Sequence, residues 1–261
     1  MLAAFVFLVF YPAVELVLAS LPHNSTASYS ALFHGGPELR ALKTTMWDSL
    51  LVTAITLVLG AVLAWTLRTT QSRFVSALFW LGVMLPMSMS VVVKNFAWIT
   101  ILSRFGALNW LLRTLHLPTH SFLFTTTAVT IGMVYTLLPF AVLPLYVAFT
   151  SIPDRLLAAA ETLGSRWYQT MATVVLPLSV PGLLITGVLL FVMSIGFYVT
   201  PVVLGGPRST FLSVLIQGDL LLRFDQAAAA ATSVFLMVVA LAVVTVAVKL
   251  VGRERFERAL G

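Results

Sequence analysis

Residues 156–182 read LLAAAETLGSRWYQTMATVVLPLSVPG. This polar stretch, with a glutamate, an arginine and a mid-segment glycine, stands between two long apolar runs. Just ahead of it, Pro153 and Asp154 make a helix start, because proline is tolerated in the first turn and a carboxylate there faces the positive end of the helix dipole. Leu156, Ala160, Leu163, Trp167 and Met171 then recur at steps of four and three as one apolar stripe, with Arg155, Thr162, Ser165 and Gln169 elsewhere. Gly164 interrupts the pattern and is expected to turn the chain, dividing the segment into two short helices. Amphipathicity alone leaves two readings open, an interfacial helix joining two spans or a knob offered to a partner.

The surroundings of this stretch decide the compartment. Of 261 residues, 60% are hydrophobic and 9% charged, against about a quarter charged in soluble domains. Six apolar runs are long enough to cross about 30 Å of hydrocarbon as helices. They lie near Leu2 to Leu21, Leu50 to Leu67, Phe74 to Leu102, Ala128 to Phe149, Val174 to Phe197 and Ala228 to Val251. Continuous apolar character without alternation excludes a membrane β-barrel. The expectation is an all-α integral membrane protein, one transmembrane domain over residues 1–261, with the polar loop at about 151–172. The first run reads as a span rather than a cleavable signal, since it lacks a basic flank and a clear small-residue cleavage site.

Basic residues orient the chain. Arg68, Arg73, Arg155 and Arg166, with Lys249, Arg253, Arg255 and Arg258 at the C-terminus, mark the inside, which puts the polar loop in the cytoplasm. The net charge of +6 is spread thinly over loops and implies no nucleic-acid partner. With no cysteine, disulfides, thiolate catalysis and cysteine metal sites are excluded. His116 and His120 have a metal-pair spacing but flank Pro118 and lack a third ligand, so a solvated loop is expected and no metal. His23 to Thr45 reads as an outer loop carrying one glycosylation-like tripeptide, Asn24-Ser25-Thr26. Pro86, Pro139, Pro144, Pro177 and Pro181 are expected to bend their helices. The G-x-x-x-x-G-K-[S/T] phosphate loop does not occur in the sequence, so nothing binds nucleotide by that route and any energy source is expected to come from elsewhere.

Ala159-Ala160-Glu161-Thr162-Leu163-Gly164, nine residues, then Val174-Val175-Leu176-Pro177, resembles the E-A-A-x-x-x-G-x(9)-I-x-L-P loop of ABC importer permeases of type I. The family's leading glutamate falls on Ala158, and Glu161 stands one turn away. The resemblance implies six spans with cytoplasmic coupling helices that dock a cytoplasmic ABC ATPase dimer. Ala159, Ala160, Glu161, Leu163, Gly164, Trp167, Tyr168, Leu176 and Pro177 would then form the ATPase-coupling set. It also implies a second permease subunit, identical or similar, an extracytoplasmic substrate-binding protein, and a place in the bacterial inner membrane. No cofactor would bind this chain; ATP and Mg would sit on the partner subunits, which would perform the hydrolysis, so the chain itself is not expected to be an enzyme.

Gly196-Phe197-Tyr198-Val199-Thr200-Pro201-Val202-Val203-Leu204-Gly205-Gly206-Pro207 is similar to the G-[D/E]-F-V-x-P-x-L-x-G-G pattern of the spermidine/putrescine branch, which implies a polyamine or related small amino compound as solute. Where the branch commonly has an acid, this chain has Phe197, which removes a counter-charge for a cation; aromatic faces can still hold an ammonium. Glu15, Asp48, Lys94, Phe197 and Tyr198 are the candidate pathway residues, because charges within spans are costly enough to be functional by default. The alternatives are a secondary transporter or channel, which would need more ion-coupling groups than one glutamate and one lysine, and a membrane enzyme, for which no catalytic grouping is found.

Overall fold

The computed structural model describes residues 2–21, 36–119, 121–206 and 210–260. The chain runs α1 (Leu2–Ala19), α2 (Pro37–Thr69), α3 (Arg73–Ser88), α4 (Val91–Leu102), α5 (Ala107–Thr114), α6 (Thr126–Thr150), α7 (Asp154–Thr162), α8 (Trp167–Ile195), α9 (Val199–Leu204), α10 (Leu212–Leu221) and α11 (Gln226–Leu260). Among the described residues there is no strand, and five helical stretches are long and apolar enough to cross a membrane: Pro37–Thr69, Val91–Thr114, Thr126–Thr150, Trp167–Ile195 and Gln226–Val246.

At the centre stands α6, with 67% of its most apolar window buried, against 22–33% for the other four stretches. Small residues set the spacing: a Cβ added to Gly60 of α2 would lie 2.5 Å from Ala141 Cβ, and one on Gly182 of α8 would lie 2.6 Å from Ala148 Cβ. Where lipid replaces water, such close backbone approach is a main source of helix association. Around α6 two apolar clusters form. One holds Val52, Leu102, Met133, Leu137, Leu190 and Phe211; the other, at the polar-loop end, holds Ala64, Leu67, Leu145, Phe149, Ile152 and Val175. At the opposite end Thr45 Oγ1 accepts from the Leu212 N–H at 2.8 Å, tying α10 to α2.

Several expectations change. The third run, Phe74 to Leu102, is not one span: it breaks at Met89 and Ser90 into α3 and α4. The break frees the Pro86 carbonyl, which an uninterrupted helix would offer to Ser90, and the buried Lys94 Nζ donates to it at 3.0 Å. A cation there also meets the negative end of α3. The second run starts earlier than Leu50, at Pro37. So residues 37–45 of the expected outer loop are helical, and most of its remainder, with the glycosylation-like tripeptide, lies outside the described residues. The fifth run is preceded by helix from Trp167, through a π turn at Met171–Val175 in which the Leu176 N–H reaches back five residues to Met171 O. Gly164 therefore separates one short helix from the foot of a long one, not two short helices. Pro139 and Pro144 stay inside an uninterrupted α6. His116 is described and His120 is not; among the described residues no group of three His, Asp or Glu could hold a metal.

Candidate functional site

The elbow between α6 and α8 is built by its end signals. Pro153 occupies the N-cap of α7 with φ −64°, and Asp154 lies in the first turn. The helix stops at Gly164, whose φ of +78° is a left-handed conformation that side-chain-bearing residues rarely adopt. Gly164 N–H donates to Glu161 O at 2.9 Å and Ser165 N–H to Ala160 O at 3.0 Å, the paired bonds of a Schellman motif that satisfy the last carbonyls. Beyond it, Gln169 Oε1 accepts from the Arg166 N–H at 2.8 Å and starts the next helix.

No residue of α7 is buried. Leu163 is 88% exposed and Trp167 78%, and the two flank the turn. Tyr168, also exposed, meets Trp167 edge-on at 6.2 Å. The expected stripe thus divides: Leu156, Leu163 and Trp167 face outward, Ala160 is half-buried, and Met171 packs with Leu157 against the cluster of Phe149, Ile152 and Val175. Ala158, Ala159 and Glu161 are exposed along α7, while Leu176 and Pro177, also exposed, lie past the π turn in the body of α8.

A long-range contact fixes the root of the elbow. Arg68, in the last turn of α2, donates from Nη2 to Ile152 O at 2.7 Å and to Asp154 Oδ1 at 3.0 Å. Its side chain is 8% exposed and its guanidinium lies over the Trp65 ring, 5.1 Å from the centroid.

Among the described residues no ion pair joins any two of the candidate pathway residues. Glu15 is exposed on α1, where the Tyr11 hydroxyl engages it. Asp48 is buried in α2, and its Oδ2 has no hydrogen-bond partner. Lys94 is held by Pro86. Phe197 and Tyr198 are half-buried in the α8–α9 turn, and Phe197 O accepts from Ser213 Oγ at 2.8 Å. An open cavity of about 300 Å³ lies beside α9, lined by Pro201, Val202, Gly205 and Gly206 from one side and Val214 and Gln217 of α10 from the other; Phe197 and Tyr198 are not in its wall.

Residues 56–256 match the family described as binding-protein-dependent transport system inner membrane component. The chain belongs to this family. It is 31% identical over 211 residues to the inner membrane ABC transporter permease protein YdcU of Escherichia coli (strain K12), covering 76% of this chain and 67% of that protein. It is 31% identical over 195 residues to the spermidine/putrescine transport system permease protein PotB of the same organism, covering 73% and 70%. To the molybdenum transport system permease protein ModB of Azotobacter vinelandii it is 32% identical over 169 residues, covering 65% and 74%. In fold it matches a chain of a bacterial ABC transporter involved in the import of alginate, with a TM-score of 0.83, 23% identity and coverage of 97% and 93%. A chain of the MetNI methionine ABC transporter matches with a TM-score of 0.61, 15% identity and coverage of 83% and 97%. The protein is thus a multi-pass inner-membrane permease of an ABC importer, with ATP hydrolysis assigned to separate subunits.

The permease also holds a polar feature that a search for charges misses. Thr45, Ser49, Thr53, Thr56 and Gly60 recur at steps of four and three on α2, and all are buried. Ser49, Thr53 and Thr56 hydroxyls have no hydrogen-bond partner, nor do those of Thr136 on α6 and Thr186 and Ser194 on α8. These are the three helices packed most extensively on one another. The 3.6-residue period of small hydroxyl residues was the available signal.

Proposed function

We propose that the permease admits a small cationic amine of the polyamine class by alternating access, worked through the elbow by a cytoplasmic ABC ATPase dimer. A soluble receptor delivers the solute on the far side, a second permease chain completes the pathway, and ATP and Mg reside on the ATPase. The observation that carries the docking is the exposure of Leu163 and Trp167 at the tip of a helix with no buried residue, on a root packed into the bundle. Large apolar side chains held out in this way suit an interface, where aromatic and aliphatic anchors carry most of the binding energy. Leu163, Gly164, Trp167 and Tyr168 form the knob, with Ala159, Ala160 and Glu161 beside it.

The solute class draws on the likeness to permeases named for spermidine and putrescine and on Asp48, a buried carboxylate with no cation paired to it among the described residues. A buried charge is tolerated when a partner of opposite sign arrives. Lys94, in contrast, already holds Pro86 and leaves the solute to Asp48 and the aromatic pair Phe197 and Tyr198.

The test is uptake by the reconstituted importer, with its ATPase, its paired permease and its receptor, offered labelled putrescine, spermidine and molybdate. ATP-dependent, saturable polyamine uptake is expected; molybdate uptake without polyamine uptake overturns the solute class and leaves the docking untouched. Trp167→Ala should weaken ATPase co-purification by roughly 30-fold, the effect of losing about 2 kcal/mol at an interface hot spot. Undiminished assembly and uptake in that variant would remove the elbow from the interface.

A further inference from the structure

We propose that Arg68 is a positioning residue that fastens the elbow to the end of α2, so that a displacement of the elbow moves α2 and α6 as one body. This inference rests on the reading of the elbow as the ATPase dock. Both α2 and α6 end here, and each presents unsatisfied carbonyls with partial negative charge. Arg68 answers both: it lies in the last turn of α2 and donates to Ile152 O, just beyond the last turn of α6. Under it, Trp65 of α2 meets Phe149 of α6 edge-on, 5.6 Å between centroids.

The two arms of Arg68 differ in weight. Asp154 is 95% exposed on its side chain, and an ion pair open to water contributes little. Ile152 is buried, as is the guanidinium that meets its carbonyl, which makes that bond charge-assisted and shielded from water. Only Pro153 separates Ile152 from the first residue of α7, and its ring fixes φ. The elbow is therefore a short lever with a stiff root pinned from a helix 84 residues away in sequence. Without the pin, motion at the tip would be taken up at the root instead of reaching α2 and its buried hydroxyl stripe.

The experiment compares the complete importer carrying Arg68→Ala, Arg68→Lys or Asp154→Ala in proteoliposomes. It reads ATPase co-purification, solute taken up per ATP hydrolysed, and amide hydrogen exchange over residues 154–162. Arg68→Ala should keep the ATPase bound and hydrolysing while uptake per ATP falls about tenfold, the scale of one lost charge-assisted hydrogen bond, and α7 exchanges faster. Arg68→Lys, which keeps one donor and the charge, should recover part of the ratio; Asp154→Ala should change it by no more than about twofold. An unchanged uptake per ATP in Arg68→Ala overturns the proposal, as does loss of ATPase binding, which would make Arg68 part of the dock or of folding. If Arg68→Ala does not accumulate, Arg68→Gln, a neutral donor, takes its place under the same criteria. Failure of the docking reading shows separately, as Trp167→Ala retaining its ATPase.

Discussion

The elbow and α6 are joined end to end at Ser151 to Pro153, yet they are opposite in construction. In α6, 67% of the most apolar window is buried and glycine and alanine bring neighbouring helices into backbone contact. In α7 nothing is buried, and at the turn that ends it Leu163 and Trp167 face outward. Burial explains the stability of the first; the second is bounded by end signals, Pro153 at its start and Gly164 at its stop, and held at its root by Arg68 and by Leu157 against the buried cluster. Under the proposed docking, a part that keeps its shape while pushed is built next to a part whose surface is kept for another protein.

The contrast can be broken most severely from the packed side. Gly60→Leu forces a side chain against Ala141, and overpacking of this kind costs about 1–3 kcal/mol or more; a lowered thermal midpoint in detergent and poor yield are expected, and an unchanged midpoint would deny the close contact of α2 and α6. Gly164→Val meets no atom within 4 Å but must adopt φ +78°, a strain of about 1–2 kcal/mol. Its effect should fall on ATPase binding and uptake, with the thermal midpoint of the bundle preserved. Leu163→Ala, at a residue 88% exposed, should leave the midpoint within error and reduce ATPase binding about tenfold. Smallest is Thr56→Val: its hydroxyl is buried and unpaired, so removing it should be neutral or slightly stabilising. A marked loss of uptake in that variant would bring the α2 stripe into the transport path.

Local signals were readable in the sequence, and long-range ones were not. Ala128 to Phe149 anticipates α6 (Thr126–Thr150) closely, since a continuous apolar run between Thr125, which caps the helix, and the polar elbow leaves little room for other boundaries. The start of α7 behind Pro153 and its stop at Gly164 follow from residues at the ends themselves. The break at Met89 and Ser90 escapes because Pro86 can be read as a mere bend; what makes a break tolerable is the Lys94 ammonium folding back on the Pro86 carbonyl. Arg68 reads as a marker of orientation because its partners, Ile152 and Asp154, come near only after folding. The onset of α2 at Pro37 is hidden by the polar composition of residues 38–45, which packing against α10 overrides.

The π turn at Met171–Val175 sets the phase between the knob and the span. One additional residue per turn offsets the two helical segments by roughly 100° about their common axis. Tyr168, which a regular helix would leave within about 20° of Val175 and Ser179, is thereby turned away from these two buried residues and stays exposed, although all three belong to one rod. Excising a single residue from that turn would re-aim the tip around the axis without altering any side chain on it, so the azimuth of the tip is set separately from its chemistry.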